Sequence, residues 1–399
     1  MKPETLAASR PEVHDRTTPS QEEAELGRST RTSAFVATIA LSAMLALAAC
    51  GGSGSSTWKT ATSASANGGM DALVAAAKAE GKINVIAVPP EWANYKGVLA
   101  AFKAKYGLTV EEQGLDFNSQ KEIDAANATK GTDKAPDVFD LTAAIATANT
   151  ALLAPYQVAA WGDIPANLKE ATGLYVSDYT GFMSIGCDAK KVTTPPATVA
   201  DLLKADFKGK VALNGNPKTS GSGLNGVVMA AVANGGSADD IKPGVDFFNQ
   251  LNTAGNLLPV DPTPTTIASG QTPCVIDWEY NNAALTADLA SKGIDWKVTI
   301  PSDGAPVAAY YLQAVNKDAP HPAAARLWEE FLYTPEAQNQ WLKGFARPVL
   351  LDKMVAAGTV DQAALGALGQ ASGTPVVLTQ DQVKKAADYL AANWSIELP

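Results

Sequence analysis

Apolar residues alternate along the chain between a helical and an extended spacing. Met70, Leu73 and Ala77 recur at the three- and four-residue spacing of one helical face, and this stripe stops at Gly81. The next residues, 83–88, are mostly apolar and end at two prolines, as a buried strand does. The pattern therefore predicts a helix followed by a strand at the start of the folded part.

The same alternation continues through the rest of the chain. It predicts further helices over residues 95–106, 119–130, 199–203, 224–233, 322–332, 334–341 and 379–392, and further strands over 108–110, 137–141 and 210–213. A capping box at Thr379 and Gln382 starts the last helix. Alternating strands and helices are typical of a parallel sheet covered by helices on both faces. Because the rhythm restarts after the proline-rich connection 193–196, two α/β units are predicted.

The first 49 residues have the features of an export signal. Residues 34–49 are small and apolar, and Arg28 and Arg31 precede them. This run is long enough for a secretory signal and shorter than the about 20 apolar residues of a membrane span. Leu47-Ala48-Ala49-Cys50 resembles the lipobox of bacterial lipoproteins, in which the cysteine is lipidated and becomes the mature N-terminus. We expect a lipid anchor at Cys50; the alternative is an ordinary cleavage site that releases the protein.

Two polar stretches lie around this signal. Residues 1–27 are an extended tail of mixed charge, and residues 51–69 are rich in Gly, Ser, Ala and Thr. Such a composition cannot bury a core, so residues 50–69 are predicted to be a lipidated flexible tether. The folded body then starts near Met70 and is long enough for two domains.

Charge and glycine patterns exclude two classes of ligand. The formal net charge of −10 is spread along the body without an acidic or basic block, which argues against nucleic acid and favours a cationic or neutral ligand. Residues 221–226 match the G-x-G-x-x-G pattern of dinucleotide sites. The preceding strand ends near Asn214, however, which is too early for the tight turn that such a site requires.

Cysteine and histidine usage excludes several enzyme classes. The predicted mature chain has one histidine, His321, which lies between Pro320 and Pro322 on a predicted surface turn. Catalytic triads and zinc sites need more than this residue, so we expect no catalytic site, no metal and no cofactor. Cys187 and Cys274 each lie in an apolar, strand-like run and are interpreted as two buried thiols. A disulfide between them is the alternative in an oxidising compartment.

The richest candidate for ligand contact follows the apolar run 274–276. It is the segment Asp277-Trp278-Glu279-Tyr280. Carboxylates beside aromatic faces bind ammonium groups through ion pairing and cation–π attraction. The aromatic residues could equally stack on a sugar or an aromatic ligand, and a structural corner with solvated acids is the remaining alternative.

Further candidate ligand residues follow the other predicted strands. They are Trp92, Asn94 and Tyr95 after the first strand, Asp140 at the end of the third, Tyr179, the turn residues Asn214 and Ser220, and Tyr310. The turn 214–223 can aim free backbone N–H groups at a carboxylate, phosphonate or hydroxyl; the alternative is a plain connection from strand to helix. Tyr310 and Tyr311 are adjacent phenols of the kind that bind ferric iron, but neighbouring strand residues point to opposite faces.

Five segments of the body carry a resemblance to a known family. They are residues 83–92, 200–211, 268–278, 319–325 and 331–338. In these segments the body resembles the extracytoplasmic substrate-binding proteins of ABC importers, in the branch with spermidine/putrescine-binding and ferric-iron-binding members. The resemblance implies an α/β, two-lobed, type II periplasmic-binding-protein-like fold that closes about a hinge. Lobe 1 would comprise residues 70–190 and 303–399 and lobe 2 residues 191–302, with crossings near 188–194 and 300–309.

The resemblance also implies solute capture without chemistry. The chain would be an extracytoplasmic monomer, periplasmic where an outer membrane exists, that hands a small solute to ABC permease subunits. A polyamine-like cation is the leading candidate, and other amines, an aminophosphonate, a sugar and iron stay open as alternatives. It would touch the membrane only through its lipid anchor. Asp277, Trp278 and Glu279 match part of the acidic and aromatic cleft of polyamine-binding relatives, whereas residues 92–95 depart from their Ser/Thr-Tyr pattern. The alternative is an exported lipoprotein hydrolase that uses Asp277 and Glu279 as an acid/base pair.

Overall fold

The computed structural model describes residues 57–399; the predicted signal 1–49 and Cys50 lie outside this range. The strands are β1 (Lys82–Ile86), β2 (Thr109–Gln113), β3 (Val138–Thr142), β4 (Leu153–Ala154), β5 (Val176–Asp188), β6 (Val211–Leu213), β7 (Cys274–Trp278), β8 (Trp296–Thr299), β9 (Val307–Asn316), β10 (Arg347–Pro348) and β11 (Val376–Val377). The helices are α1 (Gly69–Glu80), α2 (Tyr95–Tyr106), α3 (Ser119–Thr129), α4 (Ala143–Ala148), α5 (Gly221–Ala233), α6 (Lys242–Thr253), α7 (Pro264–Ala268), α8 (Glu279–Ala284), α9 (Thr286–Ser291), α10 (Pro322–Leu332), α11 (Pro335–Lys343), α12 (Leu351–Ala357), α13 (Gln362–Gly366) and α14 (Gln380–Asn393). None of the helices in this part of the chain has the length and apolar character needed to cross a membrane.

Local sequence signals set several of these boundaries. α1 ends at Gly81 and α2 at Gly107, and both glycines adopt the left-handed conformation, with φ of 78° and 72°. α14 begins with the predicted capping box, in which Thr379 and Gln382 bond each other's backbone N–H groups. Ala200–Leu203 forms a short 3-10 helix where an α-helix is predicted.

Strand β5 joins two groups of strands. Its first half, through Phe182, pairs with β9, and its second half, from Met183, pairs with β7 and β8. We refer to β1–β4, the first half of β5 and β9–β11 as the first lobe, and to the second half of β5 and β6–β8 as the second lobe; β1 and β2 form a separate two-stranded sheet. β5 thus passes from one group of strands to the other without a break at the Phe182–Met183 step. The residue bounds predicted for the two lobes stay a prediction.

The expectation of a parallel sheet is wrong for the centre of the molecule. β9 runs antiparallel to β3, β4 and β5, and β5 runs antiparallel to β7, β8 and β10. Among the described strands, the parallel pairs are β1–β2, β6–β7 and β9–β11. The rhythm of strand and helix reveals neighbours in sequence, whereas β5 and β9 pair with strands from distant parts of the chain.

Residues 57–69 belong to the folded body, so the predicted tether is too long. Trp58 and Ala61 are buried. Arg326 of α10 donates hydrogen bonds to the carbonyl oxygens of Ala61 and Lys59. A polar, small-residue composition does not reveal this docking, because the contacts are made with residues more than 260 positions away.

Cys187 and Cys274 form a disulfide, so their interpretation as two separate thiols is wrong. The two residues lie opposite each other in the antiparallel ladder of β5 and β7, with Cα atoms 4.1 Å apart. Both are fully buried. Pairing between runs 87 residues apart in sequence cannot be read from either run alone. The bridge ties the second half of β5 to β7.

His321 is buried at the start of α10, although its sequence predicts a surface turn. Its Nδ1 lies 2.9 Å from Oδ2 of Asp137, and its backbone N–H donates to Oδ1 of the same carboxylate. Burial opposes protonation, but the hydrogen bond and the charge of Asp137 raise the pKa of His321 above its usual value. The proline pattern is misleading because Pro322 occupies the first position of α10, where proline is favoured.

Candidate functional site

Five aromatic side chains meet where the two lobes join, and they are called the aromatic cluster below. Trp92 comes from the loop after β1, Tyr179 from β5, Tyr311 from β9, and Trp278 and Tyr280 from the corner between β7 and α8. The ring centroid of Trp92 lies 5.6 Å from that of Tyr280 and 5.7 Å from that of Tyr311. Tyr179 lies 5.8 Å from Tyr280 and 5.9 Å from Tyr311. Because its members come from both lobes, the cluster is complete only when the lobes are close together.

The loop after β1 fixes Trp92 at this junction. Ala93 and Asn94 have positive φ angles of 45° and 62°, which residues with a Cβ rarely adopt. The Asn94 side chain donates to the carbonyl oxygen of Gln340 at 2.8 Å and so points away from the cluster into the first lobe. Trp92 Nε1 donates to the Tyr179 hydroxyl at 2.8 Å. The backbone strain is thus located where an aromatic side chain is held at the boundary between the lobes.

Asp140 is the central residue of β3, whereas the sequence predicts it at the end of the strand; its buried carboxylate lies on the first-lobe side of the cluster. The Tyr95 hydroxyl donates to its Oδ2 at 2.9 Å, whereas its Oδ1 is buried without a hydrogen-bond partner among the described residues. Burial raises the pKa of Asp140 to about 7, and the hydrogen bond from Tyr95 lowers it only in part. A buried carboxylate oxygen without a donor is unfavourable, so Asp140 is ready to accept a donor or a cation.

Asp178 of β5 belongs to the same hydrogen-bonded group. Gln313 Nε2 donates to Oδ2 of Asp178 at 3.0 Å and to the Tyr95 hydroxyl at 3.1 Å. Burial and then the negative charge of Asp140 raise the pKa of Asp178 well above its usual range. The hydrogen bonds among Tyr95, Gln313 and Asp178 therefore orient Asp140. The mutual repulsion of the two carboxylates disfavours the state in which both are ionised.

The second lobe contributes Asp277, at the end of β7. Its Oδ1 accepts from the backbone N–H of Trp278 at 2.7 Å, and its Oδ2 accepts from the Asn281 side chain at 3.1 Å. Burial raises the pKa of Asp277 to about 6, while the side chain of Asn214 holds it down most strongly among its hydrogen bonds. Asn214, predicted to contact ligand, thus also supports Asp277.

The charges of both carboxylates act on two phenols of the cluster. Burial raises the pKa of Tyr311, and the charges of Asp140 and Asp277 raise it further. Burial, neighbouring phenols and the same two carboxylates raise the pKa of Tyr280. The cluster therefore lies in the field of two negative groups, one from each lobe. Such an arrangement favours a positive charge placed against aromatic faces.

Glu279 faces a different partner. Its carboxylate forms an ion pair with Arg347 of β10, and its Oε1 accepts from the backbone N–H of Phe182 at 3.3 Å. Burial lowers the pKa of Arg347 to about 10, and its guanidinium lies 4.3 Å from the centroid of the Phe182 ring. Glu279 thus stabilises the backbone of β5 at Phe182, where the strand passes from the first lobe to the second. Asp277 and Glu279 have separate sets of partners, which weakens the case for an acid/base pair.

The glycine-rich turn borders the cluster through the start of α5. Ser220 Oγ accepts from the backbone N–H of Gly223 at 3.2 Å and thereby caps the helix. Ser222 forms a hydrogen bond with Tyr311 that lowers the pKa of this phenol. A Cβ built on Gly221 would lie 3.2 Å from Cγ2 of Thr142, so the start of α5 lies against the end of β3.

The structure brings most of the predicted ligand residues to one place. Trp92, Tyr95, Asp140, Tyr179, Asn214, Asp277, Trp278 and Tyr280 lie in the cluster or bond its carboxylates, and Ser220 lies at its border. Asn94 and Glu279 bond elsewhere. Tyr310 neighbours Tyr311 on β9 and is influenced by Asp352 rather than by the cluster's carboxylates, as expected for the opposite face.

The sequence does not single out Asp178 or Gln313 as candidate site residues, and it leads to Tyr310 rather than its neighbour Tyr311. Tyr311 and Gln313 are two positions apart on β9 and therefore share a face, which is a signal that the sequence contains. Asp178 is an acidic residue inside an otherwise uncharged stretch of β5, which is a second signal. Within residues 57–399, no group of three or more His, Cys, Asp or Glu residues is placed to hold a metal ion.

Comparisons with known proteins are consistent with this geometry. The family model described as bacterial extracellular solute-binding protein matches residues 134–372, more than half of the chain. The chain is similar to the periplasmic binding protein AfuA from Actinobacillus pleuropneumoniae with bound fructose-6-phosphate (TM-score 0.57, 14% identity, 79% of this chain and 98% of that chain). It is similar to the binding protein AgtB from A. tumefaciens in complex with agropinic acid (TM-score 0.59, 15% identity, 78% of this chain and 96% of that chain). It is also similar to iron-bound HitA from Pseudomonas aeruginosa (TM-score 0.56, 17% identity, 78% of this chain and 98% of that chain). No curated protein sequence matches the chain.

These structures confirm the two-lobed α/β architecture of periplasmic binding proteins. The family and these structural neighbours are substrate-binding proteins. A sugar phosphate, agropinic acid and iron are named as the bound solutes of the three neighbours, so the fold alone selects no solute.

Proposed function

We propose that this chain, which belongs to the family of bacterial extracellular solute-binding proteins, captures a cationic amine between its two lobes. It is the solute-binding component of an ABC importer, and the proposal concerns the chemistry of the solute. The aromatic cluster and the carboxylates of Asp140 and Asp277 form the site. A polyamine-like solute, with an ammonium group at each end, suits one carboxylate in each lobe.

One observation carries the proposal: Oδ1 of Asp140 is buried beside the cluster and has no hydrogen-bond partner among residues 57–399. An ammonium group supplies both a donor and a compensating charge, which a neutral hydroxyl does only in part. The faces of Trp92 and Tyr179 supply cation–π attraction to the same group. An anionic solute would be repelled by both carboxylates, so the site selects by charge as well as by shape.

Lobe closure and ion binding support each other in this account. In an open form, the solute reaches the second-lobe residues Trp278 and Tyr280 and the first-lobe residue Trp92 from solvent. Closing about β5 then removes water from the carboxylates, which strengthens their attraction for a cation. The bound cation favours the ionised form of Asp140. At a pH above about 7 this carboxyl is already ionised, so the solute binds there without releasing a proton.

We further propose that the chain is a monomer without catalytic activity that is anchored to the membrane through lipidated Cys50. Support for the anchor comes from the apolar run 34–49 and the lipobox-like sequence at Cys50. Support for the lack of catalysis comes from the ion pair of Glu279 with Arg347, which occupies one member of the rival acid/base pair. An anchored protein stays close to the permease subunits that receive its solute.

A thermal-shift panel with recovery of the added compound tests the proposal. We expect spermidine and putrescine to raise the unfolding temperature, because a ligand at 100 times its dissociation constant stabilises the folded state by about 2.7 kcal/mol. Fructose-6-phosphate and ferric citrate serve as anionic controls and should give no shift. A shift from an anionic control without one from any amine contradicts the cation proposal. Chemical conversion of a stabilising compound contradicts the absence of catalysis.

A further inference from the structure

The last 21 residues lie beyond the part of the chain that the family model matches, which ends at residue 372. They follow β11, which pairs with β9 of the first lobe at Val307 and Ala308. The residues comprise the N-cap Thr379, helix α14 and a tail that ends at Pro399. This segment, 379–399, is called the C-terminal strap below.

The strap contacts the second lobe near its start and near its end. At its start, the Gln382 side chain donates to Oδ2 of Asp239 at 3.0 Å. Near its end, the Trp394 ring centroid lies 5.5 Å from that of Phe248 of α6. Trp394 is 4% exposed, so this ring is packed into the second lobe and does not lie on its surface.

The strap also contacts the first lobe. Its helix α14 lies against α4, which directly follows β3 and the site residue Asp140. Leu390 and Ala386 of α14 are buried, so the helix has an apolar face enclosed by its neighbours. A segment that leaves the first lobe at β11, packs on α6 and touches α4 therefore spans both lobes.

The end of the strap reaches the glycine-rich turn of the ligand site. The Asn216 side chain donates to the carbonyl oxygen of Leu398 at 3.2 Å. Asn216 lies two residues after Asn214, whose side chain bonds Asp277. The strap thus touches the turn that supports the second-lobe carboxylate as well as the helix that follows the first-lobe carboxylate.

We infer that the C-terminal strap is an interlobe clasp and a positioning element for the glycine-rich turn. Asn216 is its positioning residue, because it joins the tail to the turn that carries Asn214. In the closed arrangement both lobes hold the strap. Opening about β5 would move α4 away from α6, so the strap would lose its contacts with either α4 or α6. The clasp therefore favours closure and slows the release of solute. The inference rests on the two-lobed architecture and is independent of the identity of the solute.

Hydrogen exchange of the full-length protein tests the clasp without any solute. In Trp394→Ala we expect exchange to increase about tenfold in both α4 and the turn 214–220, because contacts with each lobe are lost together. Lys384→Ala, an exposed substitution on α14, is the matched control and should leave both regions unchanged. An increase confined to α6 around Phe248 would overturn the inference, since Trp394 would then only pack locally.

A second variant keeps the test decisive if Trp394→Ala unfolds the second lobe. Removal of residues 395–399 retains Trp394 and α14 but deletes the acceptor of Asn216. We expect faster exchange in the turn 214–220 and, with spermidine as the probe, a severalfold faster dissociation rate. The single variant Asn216→Ala should reproduce the change in the turn. Unchanged exchange in the turn for both variants overturns the positioning role whether or not spermidine binds.

Discussion

The two lobes present their carboxylates to the aromatic cluster in different states. Asp277 is held by the backbone of Trp278 and the side chain of Asn281, and its pKa is raised to about 6. Asp140 has one oxygen bonded to Tyr95 and one without a partner among the described residues, and its pKa is raised to about 7. In the second lobe, hydrogen bonds to both oxygens of Asp277 fix the carboxylate in place. In the first lobe, Asp140 has one carboxylate oxygen that still needs a hydrogen-bond donor or a cation.

This difference predicts the largest mutational effect at Asp140. Asp140→Asn should weaken spermidine binding by about 100-fold, or roughly 3 kcal/mol, because the buried charge that pairs with the ammonium group is removed. Asp277→Asn should weaken it by about tenfold, because its neighbours supply part of the polar environment. Isothermal titration of both variants checks the order. Equal effects would mean that the lobes share the charge evenly.

The pH dependence sharpens the same comparison. Cation binding needs the ionised carboxylate, so affinity should fall about tenfold per pH unit as the pH drops below the Asp140 pKa of about 7. The free energy of unfolding of the solute-free protein should instead increase as the pH drops. The folded-state pKa of Asp140 is raised, so the folded protein binds more protons and becomes more stable as the pH falls from about 7 towards 4.

Asp140→Asn is the control for that pH effect. It should remove the fall in spermidine affinity between about pH 7 and pH 6 and reduce the rise in the unfolding temperature of the free protein over the same range; Asp277, with a pKa of about 6, still lowers the affinity of the variant at lower pH. If the wild-type affinity stays constant from pH 8 to pH 5, ionisation of Asp140 does not govern binding.

A matched pair on β9 tests the aromatic part of the site. Tyr311→Leu should weaken spermidine binding by about five- to tenfold, since a cation–π contact contributes about 1 kcal/mol or more. Tyr310→Leu, one position away on the opposite face, should change affinity by less than about twofold. Titration of both variants with spermidine measures the difference. Equal losses would show that the effect comes from strand stability.

The smallest effect on binding is expected from the disulfide. Cys187→Ser combined with Cys274→Ser should leave affinity within about twofold, because the bridge lies at the far end of the β5–β7 ladder from Trp278. The free energy of unfolding should fall by about 4.6 kcal/mol in the chain-entropy model for a loop of this length. Chemical denaturation measures the stability change. A large loss of affinity without a loss of stability would place the bridge in the binding mechanism.

The elements that the sequence predicts are those with local signals. α1 and α2 end at glycines with positive φ, and α14 begins at its capping box, because these features depend on residues a few positions apart. The sequence also singles out Asp277-Trp278 as a candidate site, since a buried strand seldom ends in a charge beside an aromatic residue, and its role in binding stays a prediction.

The features that the sequence does not predict depend on distant pairing. The antiparallel contacts of β5 and β9, the docking of Trp58 and the bridge between Cys187 and Cys274 each join residues far apart in the chain. The choice of Tyr311 over Tyr310 required knowledge of which face of β9 carries the aromatic cluster. His321 shows the converse error, in which a local turn signal hides a buried contact with Asp137.

Mass spectrometry of the solute that co-purifies with the native protein tests the central claim most directly. The solute is released from the protein under denaturing conditions. The amount recovered from the wild type is compared with the amount recovered from Asp140→Asn. The account predicts an organic cation in stoichiometric amount from the wild type and its loss from the variant. An anionic or neutral solute, or a cation retained equally by both proteins, would contradict it.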